Sequence, residues 1–273
     1  MNNPNFDPMQ NKLEQAFLKE ILDEQVFKFN RPNFIVNDPI SIPHRYTNQQ
    51  DIEVAGFLAA TISWGKRAQI ISTANKLLDK MGESPFDFVM HSKAKDQAKL
   101  HPFVYRTFNS TDLIYFLKGL RHIYSKYQGP EFVFKQYAEE DNLQLAIHHF
   151  RKHFFELKHE LRTEKHLADP LSNSAAKRIN MWLRWMVRND NKGVDFGLWK
   201  SLSPSQLSCP LDVHSGNIAR EFGLLKRKQN DAKAVSELDT ALRKLDPIDP
   251  VKYDFALFGI GVTSQKPNQI RIR

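Results

Sequence analysis

The strongest chemical feature of this sequence is an aspartate at the mouth of a helix. Asp212 follows Pro210 and Leu211 and precedes a helix predicted over 213–222, which Gly223 would end. At such a position the carboxylate accepts hydrogen bonds from the first free backbone N–H groups, so a purely structural cap is one interpretation. A carboxylate held there also stays ionised at neutral pH, where it can stabilise an oxocarbenium-like sugar or activate a nucleophile.

A lysine on the preceding helix is the second candidate group. The helix is predicted over 174–188, and Lys177, Arg184 and Arg188 are spaced to share one of its faces. A basic face is usually a solvated surface, but it can also follow a phosphate backbone, and we assign Arg178 to the same nucleic-acid interface. If Lys177 is partly desolvated, its amine can attack a sugar carbon.

Two groups of aromatic and basic residues are candidates for contacts with a base, because an enzyme that acts on a base takes it out of the stack. Ordinary core packing is the alternative for both, since the chain has 20 phenylalanines. The predicted base pocket consists of Phe103, Tyr105, Arg106 and Phe108. The predicted nucleic-acid contacts are Trp64, Lys66, Arg67 and His214.

Helices must position these groups. Apolar residues recur at helical spacing in most of the chain, as at Leu13, Phe17, Ile21 and Leu22 in a predicted first helix. The chain has only 11 glycines and no Asn-Gly or Asp-Gly turn, which argues against a β fold. We predict an all-α protein with about ten to twelve helices, no strand, and an extended piece over 103–108.

Composition narrows the class of partner. The chain has 39 Lys and Arg against 31 Asp and Glu, a formal net charge of +8, which favours an acidic partner such as nucleic acid. No apolar run is long enough to span a membrane, and the N-terminus lacks the basic and apolar regions of a signal peptide. We therefore expect a cytoplasmic protein with no membrane partner, associated with the nucleoid if it binds DNA.

The sequence predicts no metal and no cofactor. Cys209 is the single cysteine, which excludes a disulfide and a cysteine-ligated iron–sulfur or zinc centre within one chain. His149 and His153 are four residues apart with Glu156 on the same face, a spacing that can bind a metal. The flanking composition is typical of an ordinary amphipathic helix, however, and no further ligand is evident.

Four segments of the chain resemble the helix-hairpin-helix (HhH-GPD) DNA glycosylases. Residues 177–183 resemble the segment after the hairpin glycines, which carries the Schiff-base lysine in bifunctional members. Residues 211–224 resemble the signature that contains the catalytic aspartate, here Asp212. Residues 54–65 and 255–259 are similar to an early helix whose end faces DNA and to the closing helix. The chain is most similar to an uncharacterised bacterial branch of that superfamily, through residues 177–188 and 203–214.

The resemblance implies a two-lobed helical DNA-glycosylase-like fold with a cleft between the lobes. One lobe would span 46–190 and end in the Lys177 helix, and the other would combine 1–45 with 191–273 and carry Asp212. Lys177 and Asp212 would then face each other across the cleft. Residues 264–273 are predicted to be a flexible tail.

The sequence departs from the family pattern at two places. Residues 173–176 are Asn-Ser-Ala-Ala where a Gly-x-Gly turn would present backbone N–H groups to phosphate. Asp212 follows Lys177 by 35 positions, a longer gap than usual. The inserted segment, 193–206, is predicted to hold an extra short helix over 194–199.

The resemblance implies a base-excision glycosylase that acts on a damaged or mispaired base in duplex DNA, with or without β-elimination at the abasic site. Lys177 and Asp212 would be its catalytic residues. Two alternatives stay open. One is a non-catalytic binder of structured or damaged nucleic acid, and the other is a helical scaffold without a nucleic-acid partner.

Overall fold

A computed structural model describes residues 8–263 and confirms the predicted all-α class. Residues 264–273, predicted to be a flexible tail, lie outside the described residues. The α-helices are α1 (Pro8–Phe29), α2 (Pro32–Ile35), α3 (Gln49–Thr61), α4 (Arg67–Met81), α5 (Pro85–His91), α6 (Ala94–Ala98), α7 (Ser110–Tyr127), α8 (Pro130–Gln136), α9 (Gln144–Phe154), α10 (Lys177–Val187), α11 (Val213–Glu221), α12 (Ala232–Leu245) and α13 (Tyr253–Thr263).

The extended piece over 103–108 belongs to a short β-hairpin, so the prediction that the chain has no strand is wrong. Strand β1 (Val104–Tyr105) pairs antiparallel with β2 (Phe108–Asn109). Arg106, in the turn between them, has a φ of 55°. Asn109 then caps α7 by accepting from Thr111 N, so the hairpin passes directly into the helix.

The larger of two apolar cores is built around α3 and α10. Every residue of α3 from Asp51 to Thr61 is buried, and α10 is buried from Ile179 onward. Phe57 and Trp182 meet in the middle with their ring centroids 4.9 Å apart. The Trp182 indole donates to the backbone oxygen of Glu53 over 3.1 Å, so the ring is oriented as well as buried. This contact fixes α10 against the centre of the molecule.

The smaller core lies among α1, α11, α12 and α13. It includes Leu22, Leu211, Leu238 and Leu257, all of them fully or almost fully buried. The predicted inner face of the first helix is partly wrong, since Leu13 and Phe17 are exposed and only the later part of α1 packs inward. The two cores meet at α13, since Phe255 belongs to the larger core and Ala256 to the smaller.

The larger apolar core extends beyond the lobe boundaries that the sequence predicts. Ile40 and Ile42, before the predicted boundary at 46, pack in the larger core. Val194, Trp199 and Leu207, after the predicted boundary at 190, pack there too. Apolar side chains from both flanking segments are therefore needed to complete the core around α3 and α10.

The inserted segment contains no helix over 194–199, so that prediction is wrong. Its backbone instead runs along the end of α10, where Phe196 N donates to Trp185 O over 2.8 Å and Trp199 N donates to Met186 O over 2.9 Å. The Trp199 indole donates to the buried carboxylate of Glu53 over 2.7 Å. These bonds satisfy the chain without helical hydrogen bonds, and the segment becomes part of the core.

No helix in the described part of the chain combines the length and the apolar character that crossing a membrane requires.

Candidate active site

A cleft opens between the N-terminal end of α10 and the ends of α11 and α13. Its walls carry the aromatic rings of Phe34, Trp64 and Phe258. Its charged groups are the carboxyls of Asp38, Asp212 and Asp254 and the cations of Arg67, Lys177 and Arg184. The remaining lining residues are Pro39, Ser63, Gly65, Ile70, Met181, Pro210 and His214.

Asp212 is the N-cap of α11, which confirms the structural part of its prediction. Its Oδ1 accepts from the backbone N of Ser215 over 3.0 Å, and the backbone N of Asp212 donates to the Ser215 hydroxyl oxygen over 2.9 Å. Asn230 donates to the backbone oxygen of Asp212 over 2.8 Å. The cap therefore holds the carboxylate through one oxygen and leaves the other, Oδ2, toward the cleft.

Lys177 reaches that free oxygen from the opposite wall. Its Nζ lies 3.5 Å from Asp212 Oδ2, and the two side chains are 32% and 17% exposed. The structure thus brings together two residues that are 35 positions apart in the sequence. Because both side chains remain partly open to solvent, a ligand can reach either one.

A left-handed turn places Lys177 at the first position of α10. Asn173 and Ala176, in the segment just before α10, both have positive φ, 61° and 45°. Asparagine tolerates this conformation, whereas for alanine it costs on the order of 1–2 kcal/mol. Packing offsets that cost, since Ala176 is buried. The chain therefore makes the sharp entry into α10 without glycine.

The floor of the cleft is an ion pair between Arg184 and Asp254. Arg184 Nη1 donates to Asp254 Oδ2, and Arg184 Nε donates to Asp195 Oδ1 over 3.2 Å. The Cys209 thiol lies 3.7 Å from the other oxygen of Asp254. Burial raises the pKa of Asp254 to about 6, and the negative charge of nearby Asp212 acts in the same direction.

The predicted nucleic-acid role of Arg184 and Arg188 is contradicted by their burial. Arg188 is 1% exposed and is paired with Asp190, Asp195 and Asp249 at 2.7 to 3.0 Å. The sequence spacing correctly placed both arginines on the face of Lys177, but that face points inward beyond the first turn of α10. Guanidinium groups bound by buried carboxylates are not free to contact phosphate.

Arg178 and Trp64 support each other. Arg178 donates to the backbone oxygen of Thr61, and its guanidinium lies 4.8 Å from the centre of the Trp64 ring. Burial lowers the pKa of Arg178 to about 10. Arg178 therefore supports the wall of the cleft, and its predicted contact with nucleic acid stays a prediction. Trp64 itself lines the cleft, as do Arg67 and His214.

The other predicted nucleic-acid contacts, Arg67, His214 and Lys66, differ in their packing and exposure. Arg67 lies over the ring of Phe258, with 5.0 Å between its guanidinium carbon and the ring centroid. His214 is exposed on the first turn of α11. Lys66 is exposed beside the cleft and does not line it. Contacts of these residues with nucleic acid remain predictions.

The predicted base pocket is wrong, because none of its four residues lines the cleft. Phe103 and Phe108 are buried in the larger core. Tyr105 is buried too, and its hydroxyl donates to the backbone oxygen of Trp64 over 2.7 Å. Arg106 is exposed in the hairpin turn. The hairpin therefore supports the Trp64 wall from behind.

The paired histidines of α9 have local partners. His149 stacks on Tyr137 with ring centroids 3.8 Å apart, and His153 Nδ1 lies 2.8 Å from Glu156 Oε1. Within the described residues no group of three or more His, Cys, Asp or Glu side chains is arranged to hold a metal ion.

Sequence reasoning missed Asp38, Asp254, Phe34 and Phe258. Asp254 could have been found, because it is the one charged residue of the otherwise uncharged segment Tyr253–Thr263, and a lone carboxylate there needs a reason. Asp38 directly precedes Pro39, a pair that is typical of a turn or linker and does not indicate a site. Nothing in the local sequence signals that Phe34 and Phe258 meet at one wall.

Comparison with protein families shows that the chain belongs to the family described as protein of unknown function, DUF2400, which matches residues 38–263. All cleft residues except Phe34 fall within that match. Comparison with curated proteins gives no match. Comparison with solved structures gives none either.

Proposed function

We propose that this protein is a DNA base-excision glycosylase with Lys177 and Asp212 as its catalytic residues. The observation that carries the proposal is their approach to 3.5 Å at the mouth of the cleft. The two groups come from different elements, and the cap on α11 uses only one oxygen of Asp212. A nucleophile beside an anchored carboxylate is a pair that can cleave an N-glycosidic bond.

Lys177 and Asp212 would have different roles in the reaction. The ammonium proton of Lys177 would pass to the departing base, and the freed amine would form a bond to C1′ while the bond from C1′ to the base breaks and its electron pair leaves with the base. Asp212 would stabilise the positive charge that develops on the sugar, because its ionised form is held by the helix N-terminus. Loss of the amine proton and opening of the sugar ring give a Schiff base. Removal of a C2′ proton, with Asp212 as base, would then expel the 3′ phosphate.

A monofunctional version of the same reaction uses the pair differently. Asp212 would activate a water molecule that attacks C1′, and Lys177 would contact phosphate. Both versions need the charge of Asp212, whereas only the first needs the amine of Lys177.

The architecture also supports the proposal. A glycosylase-like fold places the lysine helix and the aspartate helix on opposite sides of a cleft. Here α10 belongs to the larger apolar core and α11 to the smaller one, and the cleft lies where they meet. The net charge of +8 favours an anionic partner such as DNA.

A lesion panel tests the proposal. Labelled duplexes with oxoguanine, uracil, hypoxanthine, alkylated bases or an abasic site would be incubated with wild type, D212N and D231N. Asparagine caps helices as well as aspartate does, so D212N removes charge with little loss of stability. Asp231 caps α12 in the same way and does not line the cleft, which makes D231N the matched control.

The expected result is alkali-revealed cleavage of at least one duplex by wild type and D231N, reduced by about 10²-fold or more in D212N. Binding of the duplexes without cleavage would contradict the catalytic proposal and favour a non-catalytic binder. Equal cleavage by D212N and wild type would remove Asp212 from the mechanism.

A further inference from the structure

Near its floor the cleft is lined by two carboxyl groups, Asp38 and Asp254, and by one cation, Arg184. Behind this lining, the guanidinium groups of Arg184 and Arg188 are shared among four carboxylates, of which Asp254 alone lines the cleft; the others are Asp190, Asp195 and Asp249. Asp38 adds a fifth carboxyl group to the same region, where Arg184 is one of the cations that act on it. A ligand that brings positive charge or hydrogen-bond donors would compensate this excess.

Asp38 is a buried carboxyl group with an unused oxygen. The residue is 5% exposed and lines the cleft. Its Oδ1 accepts from Ile40 N over 3.1 Å, and no donor in the described part of the chain reaches its Oδ2. Burial raises the pKa of this group. A ligand donor that enters the cleft can pair with this oxygen.

The walls restrict the shape of such a ligand. Phe34, Trp64 and Phe258 face the cleft together with the side chain of Met181. Phe34 and Phe258 lie edge to face, with ring centroids 6.4 Å apart. Aromatic walls over a polar floor suit a planar heterocycle that inserts its polar edge downward.

We propose, on the basis of the proposed function, that the cleft selects nucleobases whose inserted edge carries an amino group, which Asp38 and Asp254 accept. An ionised carboxylate is an acceptor only, so an amino group opposite it forms a charge-assisted hydrogen bond. A carbonyl oxygen in the same place faces a like partial charge and leaves the carboxylate unpaired. The cleft therefore discriminates adenine-like and cytosine-like edges from hypoxanthine-like and uracil-like edges.

Binding of free bases tests this inference without requiring catalysis. Adenine and hypoxanthine have nearly the same shape and differ in amino against carbonyl at one position, and cytosine and uracil form a second such pair. Dissociation constants would be measured by calorimetric titration at neutral pH for the full chain, D38N and D231N. D38N keeps a capping acceptor for Ile40 N and replaces the charge by an amide, so it is expected to fold.

Wild type and D231N should bind the amino member of each pair about tenfold more tightly, the scale of one hydrogen bond to a charged group. In D38N the ratio should fall to about threefold or less, since the amide accepts and donates. Thermal unfolding of D38N near the wild-type temperature would show that the loss is local.

Three results would overturn the inference: equal affinity within both pairs, tighter binding of the carbonyl member, or no binding of any base at millimolar concentration. These results are separate from failure of the proposed function. An amino preference without excision in the lesion panel contradicts glycosylase activity alone. Excision without an amino preference contradicts the inference alone.

Discussion

The charged residues at the two ends of α10 differ in exposure and in number of partners. At the N-terminal end of α10, Lys177 meets Asp212 at 3.5 Å with both side chains partly exposed. At the C-terminal end, Arg188 is 1% exposed and shares three carboxylates at 3.0 Å or less. Both residues are cations. Lys177 is partly exposed and has one partner, so a ligand can reach it, whereas Arg188 is buried with three partners and has a structural role.

The difference also shows why charge type alone does not locate a site. A buried guanidinium with several carboxylate partners costs much desolvation and regains it only within the fixed network. A lysine with one partner at the mouth of a cleft gains little from its pair and loses little when a ligand displaces it. The N-terminal end of α10 therefore keeps the freedom that a nucleophile needs.

Substitution of the two cations by methionine gives the largest contrast. R188M leaves Asp190, Asp195 and Asp249 with less compensation and should lower the free energy of unfolding by about 3–5 kcal/mol. K177M removes a partly exposed pair and should change it by less than about 1 kcal/mol. Urea unfolding of both variants measures the difference, and equal losses would contradict the distinction between the two ends.

The pH dependence of unfolding, measured for wild type and D254N, tests the role of the buried carboxyl group at the floor of the cleft. The pKa of Asp254 in the folded state is raised to about 6 from an ordinary value of 3.8, mainly by burial. Its contribution to stability is therefore fully present below about pH 4 and is lost as pH rises through about 6. Since one pKa unit corresponds to about 1.4 kcal/mol, this contribution is at most about 3 kcal/mol.

D254N removes this titration, so the stability of wild type relative to D254N should fall between about pH 4 and 7. Arg184 and Lys177 on α10, Cys209 before α11 and Asp212 at its cap face the same carboxyl group, and they remain in both proteins. Urea unfolding at several pH values gives the difference. A constant offset across this range would show that Asp254 keeps an ordinary pKa.

The smallest expected effect separates the two roles of Asp212. D212A removes the cap of α11 and should cost about 1 kcal/mol, while D212N should cost no more than a few tenths. D231A should likewise destabilise α12, which Asp231 caps while also accepting from Arg227 Nε over 2.7 Å. If D212N destabilises the protein as much as D212A does, the charge of Asp212 matters to folding, and loss of activity in D212N would lose its mechanistic meaning.

The helical class and the bounds of α11 could be predicted from the sequence because their signals are local. The helical spacing of apolar residues predicts the helical class, and Pro210, Asp212 and Gly223 predict the bounds of α11 to within one residue. The pairing of Lys177 with Asp212 followed from segments that resemble known signatures, not from spacing.

Other features depend on contacts between distant segments and could not be predicted in this way. The sequence around Arg188 is typical of a surface residue. Its burial depends on Asp195, in the segment 193–206, and on Asp249, in the turn before α13, which both pair with it. The segment 194–199 has apolar residues that suit a helix, but the end of α10 and Glu53 supply its hydrogen-bond partners instead. Asp38 lines the cleft, and nearby Ile40 packs in the larger core.

Covalent trapping on Lys177 tests the central claim most directly. The duplex that wild type cleaves would be incubated with borohydride, which reduces a Schiff base to a stable amine, and the adduct would be located by mass spectrometry of peptides. Lys165 is an exposed lysine outside the cleft, so K165Q is the matched control for K177Q. The account predicts an adduct on Lys177 that persists in K165Q and is absent in K177Q. No adduct with a duplex that wild type cleaves, or an adduct that survives in K177Q, would contradict Lys177 as the nucleophile.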